Sequence, residues 1–206
     1  MAGMFITFEG GDGSGKTTQI GLLQRWLSNQ GHTVIVTREP GGTDLGNELR
    51  DIILHSTGFI APRAEALLYA ADRSHHIQTL VRPALERGDI VVQDRYFDSS
   101  VAYQGAGRVL DPTEVRELSL WATERLMPDL TVLLDVPADV AKARQLEDDR
   151  RFDRLEAEAE DFHQRVREGY LALAKAEPDR FLVLDGAASV DSIHEAITKR
   201  VSDLVG

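Results

Sequence analysis

Short apolar, β-prone runs alternate along this chain with stretches whose apolar residues return every three or four positions. The predicted strands are Met4–Phe8, Thr33–Thr37, Asp89–Gln93, Leu130–Leu134 and Phe181–Leu184. Leu130–Leu134 is almost wholly apolar, the pattern of a strand covered on both faces. Ile20, Leu23 and Leu27 mark a helix over Thr18–Leu27, and a short helix is predicted for Leu45–Leu54. Ala64–Arg87 reads as helical, with Pro83 marking a break or a restart. Asp111-Pro112-Thr113-Glu114 combines a cap, a proline at the first helical position and an acid in the first turn, so a helix is expected from there to about Met127. Two more helices are predicted, over Leu155–Ala176 and Val190–Val205. Strand alternating with helix predicts a mostly parallel sheet with helices on both faces. No repeat, linker or low-complexity tract interrupts it, and 206 residues suit one α/β domain spanning 1–206.

Composition narrows the function. No apolar run approaches membrane-spanning length and no basic-plus-apolar signal opens the chain, so a cytoplasmic protein with no membrane partner is expected. Cysteine is absent, which removes disulfides, thiolate catalysis and cysteine-bound zinc. The formal net charge of -11 argues against a general nucleic-acid binder, which needs a basic face.

That acidity conflicts with the most informative motif. Gly10-Gly11-Asp12-Gly13-Ser14-Gly15-Lys16-Thr17 matches G-x-x-x-x-G-K-[ST] at every fixed position, between a predicted strand and a helix that opens at Thr18. Glycines let backbone N–H groups turn toward a phosphate, and the helix start adds its positive end. Lys16 is placed to meet the outer phosphates of a nucleoside triphosphate, and the Thr17 hydroxyl to hold Mg²⁺. Cations must therefore gather locally while acid covers the rest of the surface.

Ligands of parallel sheets collect at the carboxyl ends of strands. Those ends carry Glu9-Gly10, Arg38-Glu39-Pro40, Asp94-Arg95-Tyr96 and Asp135-Val136-Pro137. Asp94 could orient Mg²⁺, and the planar fork of Arg95 could bridge two phosphates; a structural Asp–Arg pair is the alternative. Arg38, before a Pro-Gly-Gly turn, is either held at the cleft or on the surface. Tyr69 and Arg73 share a helix face at i, i+4 and suit a planar base, or else are a packed tyrosine beside a solvated arginine. Arg150 and Arg151 lie in the polar segment 145–154, which is either a solvated loop or a lid bringing arginine to a transferring phosphoryl group. The adjacent His75 and His76 point apart on a helix, which disfavours a shared metal.

Taken in order, Phe8–Gln19, Thr37–Thr43, Leu67–Arg73, Asp94–Tyr96, Ser99–Gly105 and Pro128–Pro137 resemble the bacterial thymidylate kinases from end to end. The resemblance implies a phosphate-loop (P-loop) NTPase fold: three layers, α/β/α, with a five-stranded parallel sheet and a helical lid at about 145–154. It implies transfer of the γ-phosphoryl group of ATP to dTMP, giving dTDP and ADP with Mg²⁺, in dTTP biosynthesis. By the same resemblance Gly10, Gly11, Asp12, Gly13, Ser14, Gly15, Lys16, Thr17 and Thr18 bind ATP, and Thr17 and Asp94 serve the metal. Asp12 meets the deoxyribose 3′-hydroxyl, Tyr69 stacks on thymine, and Arg73 meets the base. Arg38 and Arg95 contact phosphate. Tyr103 fills the space of a ribose 2′-hydroxyl, and Ser100 and Gln104 fall in the base-recognition stretch. Lys16, Arg95, Asp12, Arg150 and Arg151 are the implied catalytic set, and a homodimer is the implied assembly. Tyr69 stands where the family often has phenylalanine, and the segment after Arg144 is poorer in arginine than is common.

The chemistry agrees. A phosphomonoester is already anionic at neutral pH and needs positioning and charge screening rather than a base. A deoxynucleoside kinase would instead need a carboxylate such as Asp94 to take a hydroxyl proton. A non-catalytic nucleotide switch is the other alternative, weakened by the absence of an Asn-Lys-x-Asp sequence.

Overall fold

The computed structural model describes residues 3–107, 110–137, 140–141, 143–144, 155 and 158–205. Its centre is a five-stranded, all-parallel sheet in the order β2-β3-β1-β4-β5, formed by β1 (Met4–Glu9), β2 (Val34–Arg38), β3 (Ile90–Asp94), β4 (Leu130–Asp135) and β5 (Phe181–Asp185). All five predicted strands are present, within a residue or two of the predicted bounds. β1 and β4 are buried almost throughout, as the apolar run of β4 requires.

Alternation along β1 separates the layers. Ile6 and Phe8 pack with Ile20, Leu23 and Leu27 of α1 (Lys16–Asn29) and with Ile193, Ile197 and Val201 of the last helix, Val190–Val205. Phe5 faces the opposite layer, against Ile77, Val81 and Phe97. That layer holds α2 (Asp44–His55), α3 (Pro62–His76), α4 (Arg82–Glu86), α5 (Phe97–Ser100), α6 (Pro112–Ala122) and α7 (Glu160–Ala176); the last helix is α8.

Two helix boundaries differ from the sequence expectation, and Pro83 marks a restart rather than a break. Pro83 does not break the chain: α3 passes into a wider π-helical turn, Ile77–Val81, in which the Arg82 N–H reaches back to Ile77 O, and α4 starts with Pro83 in its first turn. α6 ends at Ala122 rather than Met127, because Glu124 and Arg125 are left-handed and the Arg125 N–H turns back to Leu120 O. α7 starts at Glu160, with Leu155 in a turn before it. A second π-helical turn, Val101–Ala106, extends α5.

The strand order reverses beside β1. The chain leaves β1 for β2 and β3 on one side, then crosses to β4 and β5 on the other. The carboxyl ends of β1 and β3 flank this switch point, where open α/β sheets bind ligands. Among the described residues no helix is long and apolar enough to cross a membrane.

Candidate active site

The loop between β1 and α1 depends on glycine. Gly10 has φ 132°, and a Cβ there would lie 2.5 Å from Leu134 O; Gly15, capping α1, has φ 96°. The Lys16 side chain is buried and folds back over the loop, donating to Gly10 O and Gly11 O, each at 3.0 Å. Burial, then the positive Arg95, lowers its pKa. Ser14 Oγ is buried with no hydrogen-bond partner among the described residues.

A cavity of about 490 Å³ opens over this loop, lined by Asp12 to Thr18 together with Arg38, Glu39, Arg50, Asp94, Arg95 and Arg144. Five of these side chains are cationic and three acidic, which reverses locally the sign of a chain carrying -11. Arg38 is exposed at the end of β2. Arg144 donates to Gly186 O at 2.9 Å and more weakly to Gly13 O at 3.4 Å. Asp94 Oδ1 is buried and accepts no hydrogen bond among the described residues. With Thr17 lining the same cavity, an unpartnered carboxylate oxygen and a hydroxyl suit Mg²⁺, a hard cation that takes few protein oxygens and completes its shell with water and phosphate. Among the described residues no three His, Asp or Glu side chains assemble into a metal cage of their own.

A second, narrower cavity of about 70 Å³ adjoins the first and shares Asp12, Glu39, Arg50 and Arg95 with it. Its further walls include Leu54, Tyr69, Arg73, Ser100, Tyr103, Gln104 and Leu155. The sequence-predicted Asp12, Tyr69, Arg73, Arg95, Ser100, Tyr103 and Gln104 are thus brought together here, while Arg38 and the loop residues line the first cavity. Arg150 and Arg151, with segment 145–154, lie outside the described residues.

Arg95 stands at the junction. Its backbone is left-handed (φ 66°), an uncommon state for a residue with a side chain, and is fixed by its N–H to Phe8 O (2.9 Å) and by Gln93 Nε2 donating to its carbonyl (2.9 Å). Its guanidinium donates to Asp12 Oδ1 at 2.6 Å, to Ser99 Oγ and Tyr170 OH at 3.2 Å, and to Tyr103 OH at 3.3 Å. Burial opposes the charge, but Asp12 leads the groups that keep the Arg95 pKa well above its ordinary value. Beneath it Glu9 is fully buried and accepts from the Tyr96 N–H (2.7 Å), Ser99 Oγ (2.6 Å) and Tyr170 OH (2.9 Å). Burial, reinforced by Asp98, raises the Glu9 pKa to about 7.

Arg73 is buried and largely committed. It donates to Glu39 Oε2 at 2.7 Å, to Ser119 Oγ and Ser100 Oγ at 3.1 Å, and to Tyr96 O at 3.4 Å. Glu39 also accepts from His76 Nδ1 (3.0 Å), and His76 Nε2 pairs with the Thr37 hydroxyl (2.7 Å). Burial pushes Glu39 up, yet Arg73 and His76 hold its pKa below the ordinary value. His76 is therefore a brace between β2 and α3. Sequence reasoning missed Glu39, Arg50 and Arg144 as cleft residues, and Tyr170 as the buried partner of Arg95 and Glu9. The strand-end position of Glu39 was a usable signal, whereas nothing local marks the other three.

A glycine-loop cavity rich in cations, joined to a narrow slot with an aromatic wall, defines a phosphate-loop nucleotide-binding protein with room for a second ligand. Comparison with known proteins gives the family. A family model described as thymidylate kinase matches residues 8–197. The chain is 63% identical over 205 residues to a thymidylate kinase of Clavibacter sepedonicus, covering 100% of this chain and 97% of that one. It is 64% identical over 203 residues to one from Leifsonia xyli, covering 98% and 96%. A crystal structure of thymidylate kinase from Ehrlichia chaffeensis superposes with a TM-score of 0.79 at 33% identity, over 98% of this chain and 99% of that one. This chain belongs to the thymidylate kinase family.

Proposed function

We propose that the two cavities hold ATP and dTMP end to end and that the γ-phosphoryl group passes between them, giving ADP and dTDP. One observation carries this reading: the glycine-loop cavity and the slot beside Tyr69 meet at Arg95, Asp12, Arg50 and Glu39. The acceptor is a phosphate dianion, so the chain must bring two anions together. Lys16 exchanges its bonds to Gly10 O and Gly11 O for phosphate oxygens. Arg95, already oriented by Asp12 and Tyr103, spans the acceptor phosphate, and Arg38 adds charge at the cavity mouth. Asp12 accepts from the sugar hydroxyl, Tyr103 excludes a 2′-hydroxyl, and Tyr69 and Arg73 flank the base with Ser100 and Gln104. Thr17 and Asp94 would hold Mg²⁺, which would supply neutralisation of phosphate charge. Arg150 and Arg151 bring further cations over the transferring group, within a lid belonging to the same domain. The resulting enzyme is cytoplasmic and homodimeric.

A nucleoside acceptor is the weaker reading, because Asp94, the carboxylate it would need as a base, lines the glycine-loop cavity with Thr17 and is the one assigned here to Mg²⁺. Glu9, whose raised pKa suits a base, is sealed from the cavities and bonded on both oxygens. ATP and Mg²⁺ supplied with each nucleoside monophosphate in turn, and with thymidine, test the reading. Diphosphate formation from dTMP is expected. Phosphorylation of thymidine in place of dTMP, or no transfer to any acceptor, overturns it.

A further inference from the structure

Helix α3 buries Glu65, Tyr69 and Arg73, four residues apart, along one stripe. Tyr69 and Arg73 line the narrow cavity with Ser100 and Gln104. Glu65 lies behind that wall, where its carboxylate accepts from Gln104 Nε2 at 3.0 Å. A side-chain amide has one donating and one accepting end, and a carboxylate only accepts. Glu65 therefore holds the donating end of Gln104. Among the described residues the accepting end, Oε1, takes no hydrogen bond, and Gln104 lines the cavity, so this is the end left to meet a ligand there. Beside it Ser100 Oγ accepts from Arg73 (3.1 Å), which leaves the serine's own proton to donate.

We propose that Glu65 is a positioning residue that sets the polarity of the base site. By fixing Gln104 with its oxygen inward, it makes the cavity accept a pyrimidine with a protonated N3 beside a keto group, as in thymine and uracil. Cytosine presents the reverse, an unprotonated N3 beside an amino group, and meets an acceptor with an acceptor. The inference rests on the base lying beside Tyr69. It makes dTMP and dUMP equivalent at this edge, since the 5-methyl group takes no part. A site built to hydrogen-bond one pattern rejects its mismatch by about 10⁴-fold when buried groups are left unpaired.

The test compares kcat/KM for dTMP, dUMP and dCMP in the wild-type enzyme, in Glu65→Gln, and in the double variant Glu65→Gln/Gln104→Glu. A glutamine at position 65 can donate as well as accept, so the Gln104 amide is released to turn. The dTMP-to-dCMP ratio is expected to fall about tenfold or more, through KM with kcat for dTMP held, and dUMP to follow dTMP. In the double variant the amide at 65 donates to a carboxylate at 104, whose second oxygen again accepts in the cavity, and the ratio recovers. An unchanged ratio in Glu65→Gln, or no recovery in the double variant, overturns the proposal. Should Glu65→Gln not fold, Gln104→Leu removes the acceptor, and calorimetric binding of dTMP and dCMP must then show a reduced preference; an unchanged one overturns it equally. A wild-type enzyme making no dTDP refutes the reaction itself, whereas dTDP formation with an unmoved ratio refutes only the role of Glu65.

Discussion

Arg95 is prepared for anions before any arrive. Its left-handed backbone turns the side chain back toward the glycine loop, where Asp12, Ser99, Tyr103 and Tyr170 hold the fork. Arg95→Ala is expected to lower kcat by about 10³-fold while circular dichroism stays unchanged, and Arg95→Lys to recover little, because an ammonium cannot occupy four partners in a planar fork. Near wild-type turnover in either variant would remove Arg95 from the reaction. Asp72 governs a different property. Its Oδ1 accepts from the Gly41 N–H (3.1 Å) and its Oδ2 is buried without a partner among the described residues; burial, then Glu39, raises its pKa to about 7. Because this carboxyl is raised above its unfolded value of 3.8, its contribution to stability is full below about pH 4 and is lost as pH rises through about 7. Asp72→Asn should melt close to wild type at pH 4 and several degrees higher at pH 8; parallel pH profiles of Tm would refute this. At this scale the sequence revealed side chains with a local signal. Tyr69 and Arg73 stood out by their i, i+4 spacing, and the same spacing reaches back to Glu65. Tyr170 and Arg144 were invisible because only tertiary packing brings them to Glu9 and Gly13, 161 and 131 residues away.

Strands were legible because apolar runs have few alternative uses, and helix ends were not, because they depend on backbone geometry and caps. The segment from Phe97 to Ala106 is the clearest case. It carries Ser99, Ser100, Tyr103 and Gln104, yet it is a four-residue α-helix continued by a π-helical turn, too short and too wide for a 3.6-residue repeat. What fixes it lies elsewhere in the chain. Arg180 donates to both oxygens of Asp98 (2.7 and 2.8 Å) and to Thr131 Oγ1 (2.7 Å), and its guanidinium lies over the Phe181 and Phe97 rings. Asp98 is fully buried, so removing its partner leaves a charge that water cannot reach. Arg180→Met is expected to cost about 3–5 kcal/mol in chemical denaturation, and addition of Asp98→Asn to recover much of it. The same variant should raise KM for dTMP, since the displaced helix carries Ser100. A stability loss with an unaltered KM would show that Arg180 supports the fold alone.

Across the whole molecule, charge and apolar surface pull in opposite directions. The net charge of -11 makes two copies repel, while Trp121 (79% exposed) on α6 and Leu67 (57% exposed) on α3 leave large apolar groups in water on two helices that pack together. Arg63 and Glu114, one turn before Leu67 and two before Trp121, pair across the same two helices at 3.4 Å, so the two apolar groups belong to one flank. We propose this flank as the contact of the homodimer inferred above. Burying a tryptophan and a leucine from each copy supplies the attraction, and the acidic surfaces around it supply a repulsion that falls off over a Debye length of about 10 Å at 0.1 M salt. Two consequences separate this assembly from incidental exposure. Light scattering should give twice the 22.8 kDa chain mass, with the dimer fraction rising with salt as repulsion is screened. Trp121→Glu, which adds a charge to the contact and lies outside both cavities, should give the single-chain mass with its melting temperature little changed. A variant that still scatters at the wild-type mass would move the contact off α6, and a wild-type dimer that weakens with salt would mean that ion pairs rather than apolar surface hold it.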